Sequence, residues 1–378
     1  MSEPVKIHRG LKGVYFERSG VSMIDGAKGE LRYGGYSIHD LATRSTFEEV
    51  AYLLIHCELP TAEELAAFDA ALRAGRELPA EITEIIARLR HGHPMAVLRT
   101  AVSALAALEP GSREVSEAAF LANGIRLTSQ VPMIVAVHEA IRNGREPVAP
   151  DPDLGHAANW LWMLKGEKPS DDAARLADVD FILHAEHGSN ASAFAARVTV
   201  GTEADLHAAM VTALATLAGP AHGGAAEDVM TMVEEIGSPE RAAEYVKAKR
   251  AAREAVIGFG HRVYRAEDPR ARHMRDGVEK LSRDMGEPRW FAILQAVVEA
   301  MKPYARHGLN VNVDFYSGAI YQLHGIPRDL YVPIFAIGRV PGWIIQCLEQ
   351  LRSNILIRPL TLYDGPAARD YRPVSARR

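Results

Sequence analysis

Cysteine, net charge, strand-type alternation and long apolar runs are all scarce in this sequence. Only Cys57 and Cys347 occur among 378 residues, too few for a disulfide framework and without a metal-ligand cluster around them. Reduced thiols, and with them a cytoplasmic setting, are the expectation. The net charge is only -5, and both signs are spread along the chain. That excludes a duplex nucleic acid or an anionic membrane surface as the main partner. The longest apolar stretches, such as Val131 to Val137, fall far below the roughly 20 residues of a membrane-spanning helix. The opening residues MSEPVKIHRG contain no apolar run of the secretory type.

What is present is an ordinary globular balance, 48% hydrophobic and 24% charged, in a chain long enough to bury a large core. No fixed-period repeat or low-complexity tract occurs. Helical spacing dominates. Leu206, Met210, Leu214 and Leu217 form one stripe, stopped by Gly219-Pro220. Val229, Met232, Val233 and Ile236 form the next. Segments 48–56, 61–74, 80–90, 94–108, 115–124, 129–142, 172–185, 189–199, 238–253, 268–284 and 290–301 also read as helices. Strand signals are confined to Gly13–Glu17 and Met23–Asp25. Asn143–Asp153, rich in Pro and Gly, reads as a surface loop. The fold class is mainly α.

Three short segments place an ionisable side chain among glycines or loop residues. In Gly219-Pro220-Ala221-His222-Gly223-Gly224, His222 sits between a helix stop and the next helix start. Free N–H groups there disfavour a positive charge, so a neutral, hydrogen-bond-donating imidazole is expected. In Gly258-Phe259-Gly260-His261-Arg262, the glycines let backbone approach a ligand, and further arginines follow. In Asn312-Val313-Asp314-Phe315-Tyr316, apolar neighbours should raise the Asp314 pKa and make it a stronger base. Taken singly, each has a bland alternative: a packing histidine, a solvated basic face, a helix N-cap.

Together the three segments resemble the catalytic segments of citrate synthases, in the same order and at similar separations. The likeness extends to Gly10-Leu11-Lys12-Gly13-Val14, Leu31-Arg32-Tyr33-Gly34-Gly35-Tyr36 and His93-Pro94-Met95. It continues through His184-Ala185-Glu186-His187, Asn190-Ala191-Ser192, Asp268-Pro269-Arg270, Gly338-Arg339 with Gly342-Trp343, and Arg358-Pro359. It runs from about residue 10 to about residue 365. Gly34, Gly338, Gln346 and Leu360 depart from the family's commoner residues, which bears on subfamily and substrate preference.

The resemblance implies condensation of acetyl-CoA with oxaloacetate and hydrolysis of citryl-CoA, with no bound cofactor and no metal. It implies catalytic roles for His222, His261 and Asp314. It assigns oxaloacetate to His187, Arg270, Arg339 and Arg358, the last supplied by the partner subunit of a homodimer. It places CoA along Val256, Ile257, Gly258, Phe259 and Gly260, with Arg262, Arg265, Arg306 and Asn312 as further contacts. It implies a two-domain helical fold. A large domain (1–221 and 326–378) would carry an inserted small domain (222–325) that closes after oxaloacetate binds. Propionyl-CoA, as in 2-methylcitrate synthases, is the nearest alternative substrate. A metallohydrolase built on the i, i+3 pair His184 and His187 is a distant one, and an inactive helical scaffold is another.

Overall fold

The computed structural model describes residues 5–377. In chain order its helices are α1 (Ile38–Arg44), α2 (Phe47–His56), α3 (Ala62–Ala74), α4 (Ala80–Arg88), α5 (Pro94–Leu108), α6 (Glu117–Arg142), α7 (His156–Lys165) and α8 (Asp171–His184). They continue as α9 (Ala191–Val200), α10 (Leu206–Leu217), α11 (Ala225–Ile236), α12 (Ala242–Ala251), α13 (Ala271–Asp284), α14 (Pro288–Met301), α15 (Asp314–Leu323) and α16 (Tyr331–Arg352). One small antiparallel sheet, β1 (Ser22–Asp25), β2 (Glu30–Tyr33) and β3 (Tyr36–Ser37), is added near the start, with Ser22 opposite Tyr33 and Asp25 opposite Glu30.

Half of the helices, α1–α3, α5, α6 and α8–α10, begin where a polar side chain satisfies a free N–H group. Thr61 and Glu64 form a reciprocal capping box at α3. Ser170, Asn190 and Asp205 cap α8, α9 and α10 through their side chains. The two expected stripes are both core faces: Leu206, Met210, Leu214 and Leu217 are buried, as are Val229, Met232, Val233 and Ile236.

Two expectations change. Segments 115–124 and 129–142 are one helix, α6, of 26 residues. The polar residues between them do not break it, because Thr128 Oγ1 donates to Gly124 O at 2.8 Å and Ser129 Oγ to Leu72 O at 2.7 Å. Gly13–Glu17 is not a strand and pairs with no described residue, whereas Glu30–Tyr33 is one. Apolar length also reads differently in three dimensions. By length and composition α6 and the stretch Arg328–Arg352 could each cross a membrane, but both lie mostly buried among other helices.

α6 and α16 pack closely at the centre. Gly124 faces Ile344 so tightly that a Cβ there would lie 2.8 Å from its Cγ2. α16 also packs on α8 and α9. The ends of α8, α9 and α10 and the middle of α16 thereby converge, and the site described next occupies that convergence.

Candidate active site

His222 lies in the turn after α10, where its N–H donates to Gly219 O at 2.8 Å. Its Nε2 is 2.9 Å from Ser192 Oγ and accepts the Ser192 backbone N–H at 3.3 Å. With Nε2 accepting, the ring proton sits on Nδ1, which is left to donate elsewhere. Ser192 is itself pinned: its Oγ donates to Asn190 Oδ1 at 2.8 Å and accepts from Trp343 Nε1 at 3.0 Å. Burial, then the Arg339 charge, lowers the His222 pKa to about 4, so the ring is neutral. The expected neutrality holds, but its main cause is burial rather than a helix terminus.

His261 is arranged the opposite way round. Its Nδ1 accepts the backbone N–H groups of Val263 and Tyr264, each at 3.0 Å, which leaves the proton on Nε2. Burial and Arg270 lower its pKa to about 4. The neighbouring backbone is special. Gly258 and Gly260 have φ of 79° and 89°, and a Cβ on Gly258 would lie 2.5 Å from the Phe315 ring. The loop is zipped to the one before α15. Phe259 pairs with Val311, Gly260 N–H donates to Asn310 O at 2.8 Å, and Asn312 N–H to Gly258 O at 3.0 Å.

Asp314 is the first residue of α15, and Val313 is its N-cap, so the capping alternative fails. Its pKa is raised by desolvation, against the pull of His184, Arg270 and Arg339. Asn312 Nδ2 donates to Gly260 O at 3.1 Å, while its buried Oδ1 has no partner among the described residues.

The cations divide into two kinds. Arg270 is buried and paired two-fold with Asp268, Nε to Oδ1 at 2.9 Å and Nη2 to Oδ2 at 2.7 Å. Burial works against the Asp268 charge, but Arg270 beside it holds its pKa below the ordinary value. Arg339, on α16, is 1% exposed and has no carboxylate in an ion pair with it among the described residues. Its Nε donates to His184 O and its guanidinium lies 4.7 Å over the Phe335 ring. Burial lowers its pKa to about 10, partly offset by Glu186. A buried guanidinium without a counter-ion is costly unless an anion is to be bound there.

His187 is buried, its Nε2 is 3.2 Å from Tyr264 Oη, and its ring centroid is 5.2 Å from that of His261. Burial, then Arg270, holds its pKa well below the ordinary value. The supposed His184–His187 metal pair does not share a helix face. His184 ends α8 with Nδ1 3.0 Å from Asp180, and His187 lies beyond the helix. No group of three or more metal-ligating side chains occurs among the described residues.

The structure thus gathers His187, His222, His261, Arg270, Asp314 and Arg339 around one space. Val256 to Gly260 lead directly into His261, and Arg262, Arg265 and Arg306 are exposed. Arg358 is not brought in: it lies on the exposed tail after α16. The sequence reading gave no roles to Ser192, Asp268, Tyr264 or Phe335. Asp268 was legible in principle, as an acid two residues before Arg270 in a stretch dense in arginine.

The description "Citrate synthase, C-terminal domain" matches residues 10–360. The chain is 41% identical over 367 residues to the citrate synthase of Deinococcus radiodurans, covering 97% of each chain. The chain belongs to the citrate synthase family. It is also similar, at 40% identity over 366 residues, to a 2-methylcitrate synthase of Mycobacterium tuberculosis, covering 97% of this chain and 92% of that one. Its fold matches the Thermoplasma acidophilum citrate synthase, solved as a ternary complex with carboxymethyl coenzyme A and oxaloacetate. The TM-score there is 0.93, at 31% identity, over 98% of this chain and 100% of that one. Family membership makes the chain an enzyme of the acyltransferase type and makes the mainly α architecture that of the family.

Proposed function

We propose that the gathered side chains condense acetyl-CoA with oxaloacetate. The observation that carries this is Arg339, a buried guanidinium without a carboxylate, set beside three neutral histidines and one carboxylate of raised pKa. Oxaloacetate supplies two carboxylates, one for Arg339 and one for the remaining face of Arg270 and His187. Asp314 takes a proton from the acetyl methyl group as the Nδ1–H of His222 donates to the thioester oxygen, giving an enol. The enol carbon bonds to the ketone carbon of oxaloacetate, and the Nε2–H of His261 protonates the oxygen formed there. Water then cleaves the citryl thioester to citrate and CoA. Donors already aimed at the two oxygens stabilise the charge that develops on them.

CoA lies, in this reading, along the Val256–Gly260 backbone, with Arg262, Arg265 and Arg306 near its phosphates and the free Asn312 Oδ1 accepting from an amide of its arm. The segment 222–325 acts as a small domain closing on the rest once oxaloacetate is bound, excluding water until condensation is over. The working form is a homodimer in which Arg358 reaches the partner's site. Support for that comes from the exposed apolar residues Ile355, Leu356, Leu360 and Leu362 around it. Both thiols are free, which fits the cytoplasm.

Propionyl-CoA is the second reading, favoured by the 2-methylcitrate synthase relative. One methyl group in an apolar pocket decides about 1–3 kcal/mol. Thiol release from each thioester in the presence of oxaloacetate separates the two. The chemistry is tested by exchange of the methyl protons of an acetyl-CoA analogue in heavy water. Asp314→Asn should keep oxaloacetate affinity and lose exchange; undiminished exchange would remove Asp314 as the base.

A further inference from the structure

The β1–β2 hairpin touches the site at both of its ends. At the open end, Ser22 Oγ donates to Glu186 Oε1 at 3.1 Å and Tyr33 Oη donates to Glu186 O at 2.9 Å. Ser22 and Tyr33 lie opposite each other in the ladder, so this end grips the turn that carries His187. At the tight end, Gly26 O accepts the Arg265 N–H at 2.7 Å, in the stretch that follows His261.

Two glycines occupy that tight turn for different reasons. Gly29 has φ of 68°, in the left-handed region. Gly26 lies outside that region, so its backbone would suit other residues too. What is missing there is room: a Cβ would lie 2.4 Å from Val263 O and 2.9 Å from Val263 C. The peptide pressed by Gly26 is one that holds His261. A trans peptide is planar, with its C=O and N–H on opposite edges. The plane between Val263 and Tyr264 turns its oxygen to Gly26 and its N–H to His261 Nδ1, at 3.0 Å. The Val263 N–H makes the second bond to that nitrogen. Tilting the plane to free the oxygen carries an N–H away from the ring.

We propose that Gly26 is a positioning residue for His261, seating the Val263–Tyr264 peptide so that Nδ1 stays the acceptor and Nε2 carries the proton. Through Glu186 the same hairpin ties that seat to the turn bearing His187. The turn is built to present Gly26: Asp25 Oδ1 accepts the N–H groups of Ala27 and Lys28, each at 3.0 Å. The inference rests on the acid role given to His261 above. In the proposed closure of segment 222–325, the seat is completed as Val263 comes to rest on the hairpin.

Gly26→Ala should lower the rate of citrate formation by a factor on the order of 10². Exchange of the methyl protons of an acetyl-CoA analogue, which calls on Asp314 and His222, should stay at the parent rate. NMR of the histidine ring nitrogens, with oxaloacetate present, reads the tautomer directly. The signal that His261→Gln removes should report Nε2–H alone in the parent chain and a mixture in Gly26→Ala. Asp25→Ala should act in the same direction and more weakly, while Asp25→Asn, which keeps the accepting oxygen, should match the parent. Asp25→Ala carries both readouts if Gly26→Ala does not fold. Parent-like citrate formation in both alanine variants, an equal loss of exchange and citrate formation, or an unmoved tautomer would each overturn the proposal. A parent chain that makes no citrate would overturn the function reading instead, and the tautomer measurement, which needs no turnover, would still decide the seat.

Discussion

α16 and the segment after it share one arginine boundary, at Arg352, and almost nothing else. Along α16, Ile337, Trp343, Ile344, Ile345 and Leu348 are fully buried against α6, α8 and α9. Beyond it, Ile355, Leu356, Leu360, Leu362, Tyr363, Tyr371 and Val374 are 58% to 88% exposed. The helix is the more apolar of the two, but the tail also carries large apolar side chains, and only the helix finds cover within its own chain. Each region also carries a substrate-binding arginine in our reading, Arg339 in the helix and Arg358 in the tail. A run of exposed apolar side chains this long marks a surface that another protein covers. The contrast sets an arginine that folding alone puts in place against one that, in our reading, only assembly would bring to a site.

The buried arginine should show itself in activity and stability together. Arg339→Gln should lower kcat/KM for oxaloacetate by a factor on the order of 10²–10³. Its thermal midpoint should hold or rise, because the variant removes a buried charge that makes no ion pair and that Glu186 offsets only in part. Steady-state kinetics and a thermal melt read the two quantities. A falling midpoint with activity spared would make Arg339 a structural residue.

The tail should respond differently. Arg358→Ala and Asp314→Asn should each be inactive alone, and activity should return on subunit exchange. In a mixed dimer the subunit with intact Asp314 receives Arg358 from its partner, so one site of two is complete. Mass spectrometry must show that mixed dimers have formed. Silence in their presence would place Arg358 in its own subunit's site. A chain ended at Ser353 should shift toward monomer in sedimentation experiments, since it loses the exposed apolar surface; an unchanged dimer would sever the tail from assembly.

The smallest effect concerns pH. His222 and His261 have folded pKa values near 4 against an ordinary 6.5. Between those values the unfolded chain binds more protons, so both histidines make stability fall as pH drops from about 6.5 to about 4. Glu186, raised to about 7 by burial, has the opposite slope over part of that window. The informative quantity is therefore a difference. His261→Gln should flatten the dependence of thermal midpoint on pH relative to the parent chain, and an identical slope would mean that His261 is not held neutral.

Helices with one apolar face were legible from spacing, as α10 and α11 illustrate. α16 was not, because it is buried nearly all round and its apolar residues lose the amphipathic period. α15 was missed for another reason: its first turn was read as a chemical motif, with a helix N-cap at Asp314 as the bland alternative. The ionisable residues of the site were all quoted from the sequence. What no sequence reading supplied was their wiring. That Asp268 occupies Arg270 while Arg339 stands open, and that His222 and His261 present opposite nitrogens, depends on contacts between residues far apart in the chain.

The pairing of Phe259 with Val311 has a mechanical consequence. It joins the loop that holds His261 to the one leading into Asp314 at the start of α15, so the proposed acid and base ride on one stiff piece, like two teeth cut into a single gear. His222 sits on the other side of the space, tied through Ser192 to Trp343 on the central helix. In the proposed closure of segment 222–325, at whose very start His222 stands, the piece would move as one, changing where the pair meets its substrates without changing the gap between the teeth. Errors in position are shared rather than independent, and one alignment, not two, has to be right for the proton to leave carbon and another to reach oxygen.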